Sequence, residues 1–173
     1  RVFIISIRDD LDHGFYFPKM YELKLRLKDL LEETVDEKHY LKEKDLSTLE
    51  LFESKKSIDG CNQIGFLNRP TIHDFSNRIY STDGLARTLM GEGGNHNDKA
   101  GQYLINGRIR RLTPKECFRL MGFNDEDCDV LVSNGISNTQ LYKMAGNSIV
   151  VDVLEEIFVE LLNQYEDVFP CQI

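Results

Sequence analysis

The clearest hydrophobic periodicity in the chain lies between residues 110 and 153, where apolar positions recur three and four residues apart, as in helices. Short capping sequences open each apolar run, and Gly or Asn-Gly closes the first three. The predicted helices run from Thr113-Pro114-Lys115-Glu116 to Gly122, from Asn124 or Asp125 to Asn134-Gly135, from Ser137-Asn138-Thr139-Gln140 to Gly146, and from Asn147-Ser148 onwards. The pattern therefore predicts a helical cluster with a polar Gly-Asn-Ser cap at the start of its last helix.

The beginning of the chain follows other patterns. Val2–Ile7 is a short, mostly apolar run that predicts a buried strand, and its abrupt start leads us to expect a fragment of something longer. The leucines in 27–31 take helical spacing. Ser47-Thr48-Leu49-Glu50 is another capping-box sequence, which predicts a short helix through Phe52.

In Ser57–Asn106 glycines break the chain into short pieces. Apolar and polar side chains in these pieces predict strands over residues 78–80, 86–90 and 103–105. The last two strands flank Gly91–Gly101, a loop too polar to bury and rich in glycine. We therefore predict a small, irregular β-rich unit that presents loops.

Charge is unevenly distributed along the chain. The formal net charge is −8, yet residues 55–111 hold nine basic and five acidic side chains between two acidic flanks. A basic middle of this kind favours contact with a polyanion through one face. Chance clustering of solvated charges is the alternative.

Composition excludes several other classes of protein. Apolar runs are too short to cross a membrane. The four cysteines show no Cys-x-x-Cys spacing, which favours a reduced protein, and the four histidines lack metal-ligand spacing, so we predict no metal.

Two stretches of the last third resemble the final motifs of DNA cytosine-5 methyltransferases. The family pattern reads R-x-L-T-P-x-E-x-x-R-L-x-G-F and then, after a spacer, Q-x-Y-K-x-x-G-N-S and an aliphatic helix. The matching residues are Arg110, Leu112-Thr113-Pro114, Glu116, Arg119-Leu120, Gly122-Phe123, Gln140, Tyr142-Lys143 and Gly146-Asn147-Ser148-Ile149. Two multi-residue matches in the right order carry the resemblance, whereas Gly-Asn-Ser alone would not.

Other segments extend the resemblance over most of the chain. Arg1–Ile5 resembles the tail of the family's Q-x-R-x-R motif, and Asn77–Ser81 with Thr88-Leu89 resembles the core of its target-recognition domain. The fold implied is an α+β fragment: a small, irregular β-rich target-recognition domain, plus a strand and C-terminal helices that complete a Rossmann-like α/β S-adenosylmethionine-dependent methyltransferase domain. The implied divisions are residues 1–28 as the tail of the catalytic domain, 29–106 as the target-recognition domain, 107–145 as a helical hinge and 146–173 as a C-terminal helix returning to the catalytic domain.

The activity implied by the resemblance is transfer of a methyl group from S-adenosylmethionine to C5 of a cytosine flipped out of a specific duplex sequence, as in bacterial restriction-modification. The family's Gly-rich cofactor strand, Pro-Cys nucleophile and Glu-Asn-Val motif do not precede Arg1. We therefore expect half of an active site in a bacterial cytoplasm, inactive alone, with double-stranded DNA and the missing N-terminal catalytic half as partners. A piece of a longer enzyme and the small subunit of a split enzyme both remain open, and a non-catalytic DNA-binding module is the alternative from another class.

The resemblance also implies roles for single residues near the cofactor and the target base. Arg1 would contact the flipped cytosine, unless it is only a disordered terminus. Asn147, Ser148 and Ile149 would close the cofactor site with free N–H groups at a helix start, unless they form a helix cap alone. Phe123 would lie beside the cofactor, with packing against other side chains as the alternative.

The implied DNA-reading loops are residues 75–78 and 91–103, with an ordinary flexible hairpin connection as the alternative for the second loop. The implied contacts are Arg78, Arg87 and Lys99 to phosphates, Asn95, His96 and Asn97 to phosphates or base edges, Thr88 to the backbone beside the flipped nucleotide, and Tyr103.

Two further features have structural interpretations. Glu116 and Arg119 lie three apart on one predicted helix, which predicts an ion pair between them. Phe169-Pro170-Cys171-Gln172 contains the family's Pro-Cys-Gln sequence, but no cofactor-binding unit precedes it, so we interpret Cys171 as a tail residue and a permuted nucleophile as the alternative.

Overall fold

A computed structural model describes residues 2–12, 14–70, 72, 74–91, 100–166 and 168. The chain divides into two compact units, Leu23–Ser148 and a unit that joins Arg1–Glu22 to Ile149–Ile173. The predicted α+β class is confirmed, because the described residues form both a sheet and a set of helices. None of the described helices is long and apolar enough to cross a membrane.

A single sheet organises the larger unit. In the described part of the chain it has five strands in the order β1-β2-β3-β4-β5, antiparallel except for the parallel pair β3 and β4. The strands are β1 (Leu49–Ile58), β2 (Cys61–Leu67), β3 (Arg78–Ser81), β4 (Gln102–Ile105) and β5 (Arg108–Arg111). Leu67, Ile79 and Ile109 form its buried core, packed against partly buried leucines and an isoleucine from the sheet itself and from the segment before it.

Two tight turns explain the register of the hairpins. Asp59-Gly60 joins β1 to β2 and Asn106-Gly107 joins β4 to β5, and all four residues have positive φ between 50° and 79°. Turns with two positive φ angles match the twist of the flanking strands, and Asp-Gly and Asn-Gly adopt them most readily. These dipeptides are therefore the local cause of both hairpins.

Short helices precede and follow the sheet. Two 3-10 turns, Leu27–Leu30 and Glu37–His39, come before β1. The α-helices of this unit are α1 (Glu43–Leu46), α2 (Asp74–Asn77), α3 (Pro114–Leu120), α4 (Asp125–Ser133) and α5 (Asn138–Asn147). The capping boxes predicted the starts of α3 to α5 correctly, and at α3 the Glu116 N–H donates to Thr113 Oγ1 while Glu116 Oε2 accepts from the Thr113 N–H.

A buried ion pair fastens the sheet to α3. Arg110 on β5 makes two hydrogen bonds to Glu116, of 2.8 and 2.7 Å, and the two side chains are only 1% and 0% exposed. Glu116 Oε1 also accepts from the Glu32 N–H at 2.9 Å. One carboxylate therefore joins strand β5, the start of α3 and the segment before the sheet.

Arg119 has a different partner from the one predicted. Its guanidinium makes two hydrogen bonds of 2.7 Å to Asp125 and donates to the Leu30 carbonyl. The predicted Glu116–Arg119 pair is therefore wrong. Glu116 lies on the buried side of α3, where Arg110 is its counter-ion, while Arg119 reaches the start of α4.

His39, in the segment before the sheet, is also buried and ionisable, and it contacts α5. Its side chain is 5% exposed, and its Nδ1 lies 3.4 Å from the Tyr142 hydroxyl, which donates to the Leu112 carbonyl at 2.7 Å. Burial, aided by the charges of Arg111 and Lys38, lowers the pKa of His39 to about 4. His39 is therefore neutral at pH 7.

In the described part of the smaller unit, a segment without helix or strand precedes one long helix, α6 (Val151–Gln164). Gln164 exchanges two hydrogen bonds with the backbone of Tyr16, and the Tyr165 hydroxyl lies 3.1 Å from Asp12 Oδ1. Residues 2–7 pair with no strand among the described residues, unlike the buried strand that we predicted. A strand needs a neighbour for its backbone groups, and the described chain provides none there.

Two local predictions in the larger unit were wrong. The predicted helix at 47–52 is the start of β1, because Leu49 and Glu50 pair with β2 instead. The predicted strand at 86–90 lies outside the sheet, where the Arg87 N–H donates to the Tyr103 hydroxyl. The predicted division of the chain, with a hinge at 107–145, stays a prediction, and the first residues of that range form β5.

We predict that Glu116→Gln lowers the free energy of unfolding by about 3–5 kcal/mol, because it leaves the charge of Arg110 buried without a counter-ion. Glu37→Gln is the matched control, since Glu37 makes an equally bidentate but exposed pair with Arg108 and should change stability little. Urea unfolding of both variants tests this, and equal losses would contradict the assignment.

We also predict that His39 makes stability depend on pH. Its folded pKa near 4 lies below the ordinary 6.5, so the unfolded chain takes up the proton first as pH falls. The stability contributed by neutral His39 is complete above about pH 6.5 and is lost progressively towards pH 4. Unfolding free energies at pH 7.5, 5.5 and 4.5 should fall less steeply for His39→Gln than for the parent, and parallel curves would contradict the prediction.

Candidate functional site

The Gly-Asn-Ser sequence lies at the end of a helix and not at the start of one. Asn147 is the last residue of α5, and Ser148 is its C-cap, donating its N–H to the Met144 carbonyl at 2.9 Å. The next helix begins at Val151 with Val150 as N-cap. Asn147 and Ser148 therefore do not provide the free N–H groups expected of a helix start, and hydrogen bonds donated to a cofactor there would have to come from their side chains.

A close backbone contact joins this helix end to the Thr88–Gly91 segment. A Cβ atom placed on Gly146 would lie 2.4 Å from both the Gly91 nitrogen and the Met90 carbonyl carbon. One placed on Gly91 would lie 1.7 Å from Asn147 Oδ1. Because a side chain at position 146 would collide with backbone atoms, Gly146 allows the two segments to touch, whereas a side chain at position 91 would first displace the side chain of Asn147.

This contact brings together two of the segments that the sequence singled out. Thr88 is exposed, and Met90 and Gly91 closely follow it on the way to residues 92–99. Asn147 is exposed and Ser148 half-exposed at the other side of the contact. The predicted DNA-backbone residue and two predicted cofactor residues thus share one small region of the larger unit.

Arg87 organises the backbone before this region. Its guanidinium donates to the Phe75 carbonyl at 2.9 Å and lies 4.9 Å from the centre of the Phe75 ring. Its backbone N–H donates to the Tyr103 hydroxyl at 3.1 Å. Arg87 therefore fastens the predicted DNA-reading residues around Phe75 to the Thr88 segment.

Arg78 lies near the same segment but is already engaged. It is paired with Asp74 through two hydrogen bonds, with 34% of its side chain exposed. The hydrogen bonds to Asp74 raise the pKa of the Arg78 guanidinium. A phosphate would have to compete with Asp74 for this guanidinium, so Arg78 is a weaker candidate for DNA than the sequence indicated.

Tyr103 packs in the interior of the larger unit. It is fully buried, its ring centre lies 6.0 Å from that of Tyr80, and burial raises the pKa of its hydroxyl. A fully buried ring cannot reach DNA in this conformation. We therefore correct its assignment: Tyr103 supports the Arg87 backbone from inside the unit.

The positions of the other predicted site residues neither support nor contradict their predicted roles. Phe123 is half-buried and packs against Phe118, with 5.5 Å between ring centres. Ile149 belongs to the smaller unit, where it is 39% exposed. Arg1, Asn95, His96, Asn97, Lys99 and Cys171 lie outside the described residues.

Sequence reasoning missed the residues that hold the segment 75–77 from the opposite side. Arg69 donates to Asn77 Oδ1 at 2.7 Å and to the Ser76 carbonyl at 3.0 Å, and Gln102 Nε2 donates to the same carbonyl at 2.6 Å. These partners are side chains and carbonyls brought together by the sheet, so no spacing in the sequence marks them. In the sequence, only the position of Arg69 within the basic region 55–111 indicated a functional role for it.

We predict that Gly146→Ala destabilises the larger unit more than Gly135→Ala. The alanine at 146 forces the backbone of Met90 and Gly91 to move. An alanine at 135 meets open space and costs only about 1 kcal/mol, because a φ of 78° is strained for a residue with a Cβ atom. Thermal unfolding of both variants measures the difference. Equal transition temperatures would contradict the close contact.

The chain is similar in sequence to known DNA methyltransferases. It is 35% identical over 158 residues to the type II methyltransferase M.HhaI of Haemophilus parahaemolyticus, covering 91% of the chain and 46% of that protein. It is 32% identical over 246 residues to the orphan methyltransferase M.SPBetaI of Bacillus phage SPbeta, covering 95% and 55%. The chain thus spans about half the length of these curated relatives.

Solved structures agree on the fold. The methyltransferase EhMeth of Entamoeba histolytica superposes with a TM-score of 0.58 at 16% identity, over 86% of this chain and 44% of that one. The S. pombe Dnmt2 methyltransferase gives a TM-score of 0.55 at 17% identity, over 83% and 43%. The family model of the C-5 cytosine-specific DNA methylases matches residues 1–163, and the chain belongs to that family.

Proposed function

We propose that this chain is the recognition and cofactor-closing part of a DNA (cytosine-5)-methyltransferase. The observation that carries the proposal is the contact between Met90-Gly91 and Gly146-Asn147. It joins the segment that the family resemblance assigns to the flipped nucleotide to the motif that it assigns to the cofactor. Such a junction is expected where a base and a methyl donor meet.

The reaction proposed for the assembled enzyme is methylation of cytosine at C5 within duplex DNA. A cysteine thiolate outside the described residues adds to C6, which makes C5 nucleophilic; C5 then takes the methyl group, and loss of the C5 proton releases the thiolate. S-adenosylmethionine supplies the methyl group. In this proposal the described residues of the chain bind the flipped nucleotide and one edge of S-adenosylmethionine.

The residues at the end of α5 fit an edge of a cofactor site. Asn147 is an exposed residue with a carboxamide whose Oδ1 lies against Gly91, and Ser148 is a half-exposed residue with a hydroxyl. These groups suit the amino-acid end or the ribose of S-adenosylmethionine. Ile149 and Phe123 stay predictions, as does Arg1 at the target base.

DNA contact in this proposal centres on Thr88 and the segment 92–99. Thr88 is exposed beside the Arg87 anchor, so its hydroxyl can donate to a phosphate of the flipped nucleotide. The anchors from Arg87 and Arg69 to residues 75–77 hold that backbone rigidly, which favours reading of a defined sequence. Double-stranded DNA is therefore the proposed substrate.

The proposed partner is the catalytic half that carries the nucleophile. Within the smaller unit, Val2 and Ile4 are 87% and 85% exposed, and Phe158 and Val159 on α6 are 60% and 52% exposed. Apolar side chains this exposed support the proposal that the catalytic half covers this surface.

The test is complementation. The chain should give no methyl transfer from labelled S-adenosylmethionine to DNA by itself, and activity should arise when an N-terminal half of a family member is added. Absence of activity with every complementary half tried, together with sequence-specific DNA binding by the chain alone, would support a non-catalytic DNA-binding module and overturn the proposal.

We predict that Asn147→Ala raises the KM of the complemented enzyme for S-adenosylmethionine roughly 10-fold, as expected for loss of a hydrogen bond worth about 1.4 kcal/mol. Asn134→Ala is the matched control, because Asn134 also ends a helix, α4, but lies outside the proposed site. The KM for DNA should change in neither variant. Equal effects of the two substitutions on the cofactor KM would contradict the assignment of Asn147.

A further inference from the structure

A basic cavity lies behind the segment 75–77, separate from the region around Thr88 and Asn147. Its volume is about 360 Å³. The described lining residues include five cationic side chains and no carboxylate, namely Lys38, Lys42, Lys44, Arg69 and Arg111, with Gln102 among the neutral ones. A concave surface lined by one sign of charge concentrates the field and attracts counter-ions.

Arg69 and Gln102 form a fixed part of the cavity wall. Arg69 is half-buried, and its described partners are the neutral oxygens of Asn77 and Ser76, so no carboxylate among them compensates its charge. Gln102 is 4% exposed and lies opposite Arg111 across β4 and β5. These interactions set the wall before any ligand arrives, which reduces the entropy lost on binding.

Gln102 also presents an unused acceptor. Its Nε2 donates to the Ser76 carbonyl, but its buried Oε1 has no hydrogen-bond partner among the described residues. A buried carbonyl of this kind is costly unless a donor reaches it. A lysine ammonium drawn in by a bound anion would supply that donor, because it carries three N–H groups and can bridge anion and carbonyl.

Two exposed lysines form the rim of the cavity. Lys42 and Lys44 lie just before and within α1, and their long side chains let the ammonium groups swing over the cavity mouth. The buried His39 beside them adds no charge at pH 7, because burial, with the charges of Arg111 and Lys38, depresses its pKa. Two flexible cations over a fixed basic wall suit a phosphate group.

We infer that this cavity binds a backbone phosphate of duplex DNA outside the recognised sequence. DNA is favoured over a free anion because the cavity wall and the predicted DNA-reading residues share the same backbone, the Ser76 carbonyl and Asn77. A cavity of this size admits a phosphate with its attached sugar. The inference rests on the proposed function and extends its DNA footprint to a flanking phosphate.

The test compares the full chain with Lys42→Ala/Lys44→Ala by fluorescence anisotropy on random-sequence duplexes of about 12 and about 30 base pairs at several salt concentrations. Both lysines are exposed, so the fold is kept. On the long duplex, affinity should fall several-fold, and the slope of log K against log salt should decrease by about 0.9, because the variant neutralises one phosphate fewer. On the short duplex the change should be smaller.

Lys19→Ala/Lys24→Ala is the matched control, with the same charge change at exposed positions that do not line the cavity. It should retain the parent salt slope. An unchanged slope in Lys42→Ala/Lys44→Ala, or an equal decrease in the control, would overturn the inference.

A second experiment distinguishes a DNA phosphate from free inorganic phosphate as the ligand of the cavity. Inorganic phosphate is titrated into the isotope-labelled chain while the side-chain amide signal of Gln102 is followed by NMR. Saturation below about 1 mM phosphate, without any effect of the lysine variants on DNA binding, would assign the cavity to a free anion and overturn the DNA assignment. If the parent chain binds no duplex, this inference is overturned while the complementation test still decides the proposed function. DNA binding without the slope change likewise removes only the inference.

Discussion

The buried pair between Arg110 and Glu116 is the interaction on which the larger unit depends. Arg110 comes from the last strand of the sheet, and Glu116 comes from the first turn of the helix that follows. Two charges out of water are tolerated when each has a close counter-ion, and the Glu116 carboxylate accepts from Arg110, Thr113 and Glu32 at once. The pair therefore fixes the direction in which the chain leaves the sheet and enters the helices.

That direction determines where α5 ends. Helices α3 and α5 pack against each other, and Tyr142 on α5 reaches the Leu112 carbonyl and His39. With α5 held in this way, Gly146 and Asn147 meet the backbone of Met90 and Gly91. A constraint at the sheet edge is thus transmitted to the region where we propose that nucleotide and cofactor meet.

The basic middle of the chain has structural as well as binding roles. Arg87 and Arg69 donate to carbonyls of the segment 75–77 from two sides, so part of the positive charge holds backbone in place. Arg78 is paired with Asp74, and Arg108 with Glu37. The exposed lysines of the cavity, above all Lys42 and Lys44, lie outside this basic middle, in the acidic flank that precedes it. A count of basic residues along the sequence could not separate these roles.

The sequence by itself determined the local elements whose causes are local. Capping residues fixed the starts of α3, α4 and α5, and the motif residues identified the family, because both signals lie within a few positions of one another. Asp59-Gly60 and Asn106-Gly107 carried an equally local signal for both hairpins, which our interpretation of the glycines as simple breaks passed over. Tertiary structure decided the rest: which strand Leu49 joins, that Arg110 and not Arg119 pairs with Glu116, that Tyr103 is buried, and that Gly146 touches Gly91. Each of these depends on partners far apart in the chain, and the free energy that selects them exists only once the sheet and helices have packed.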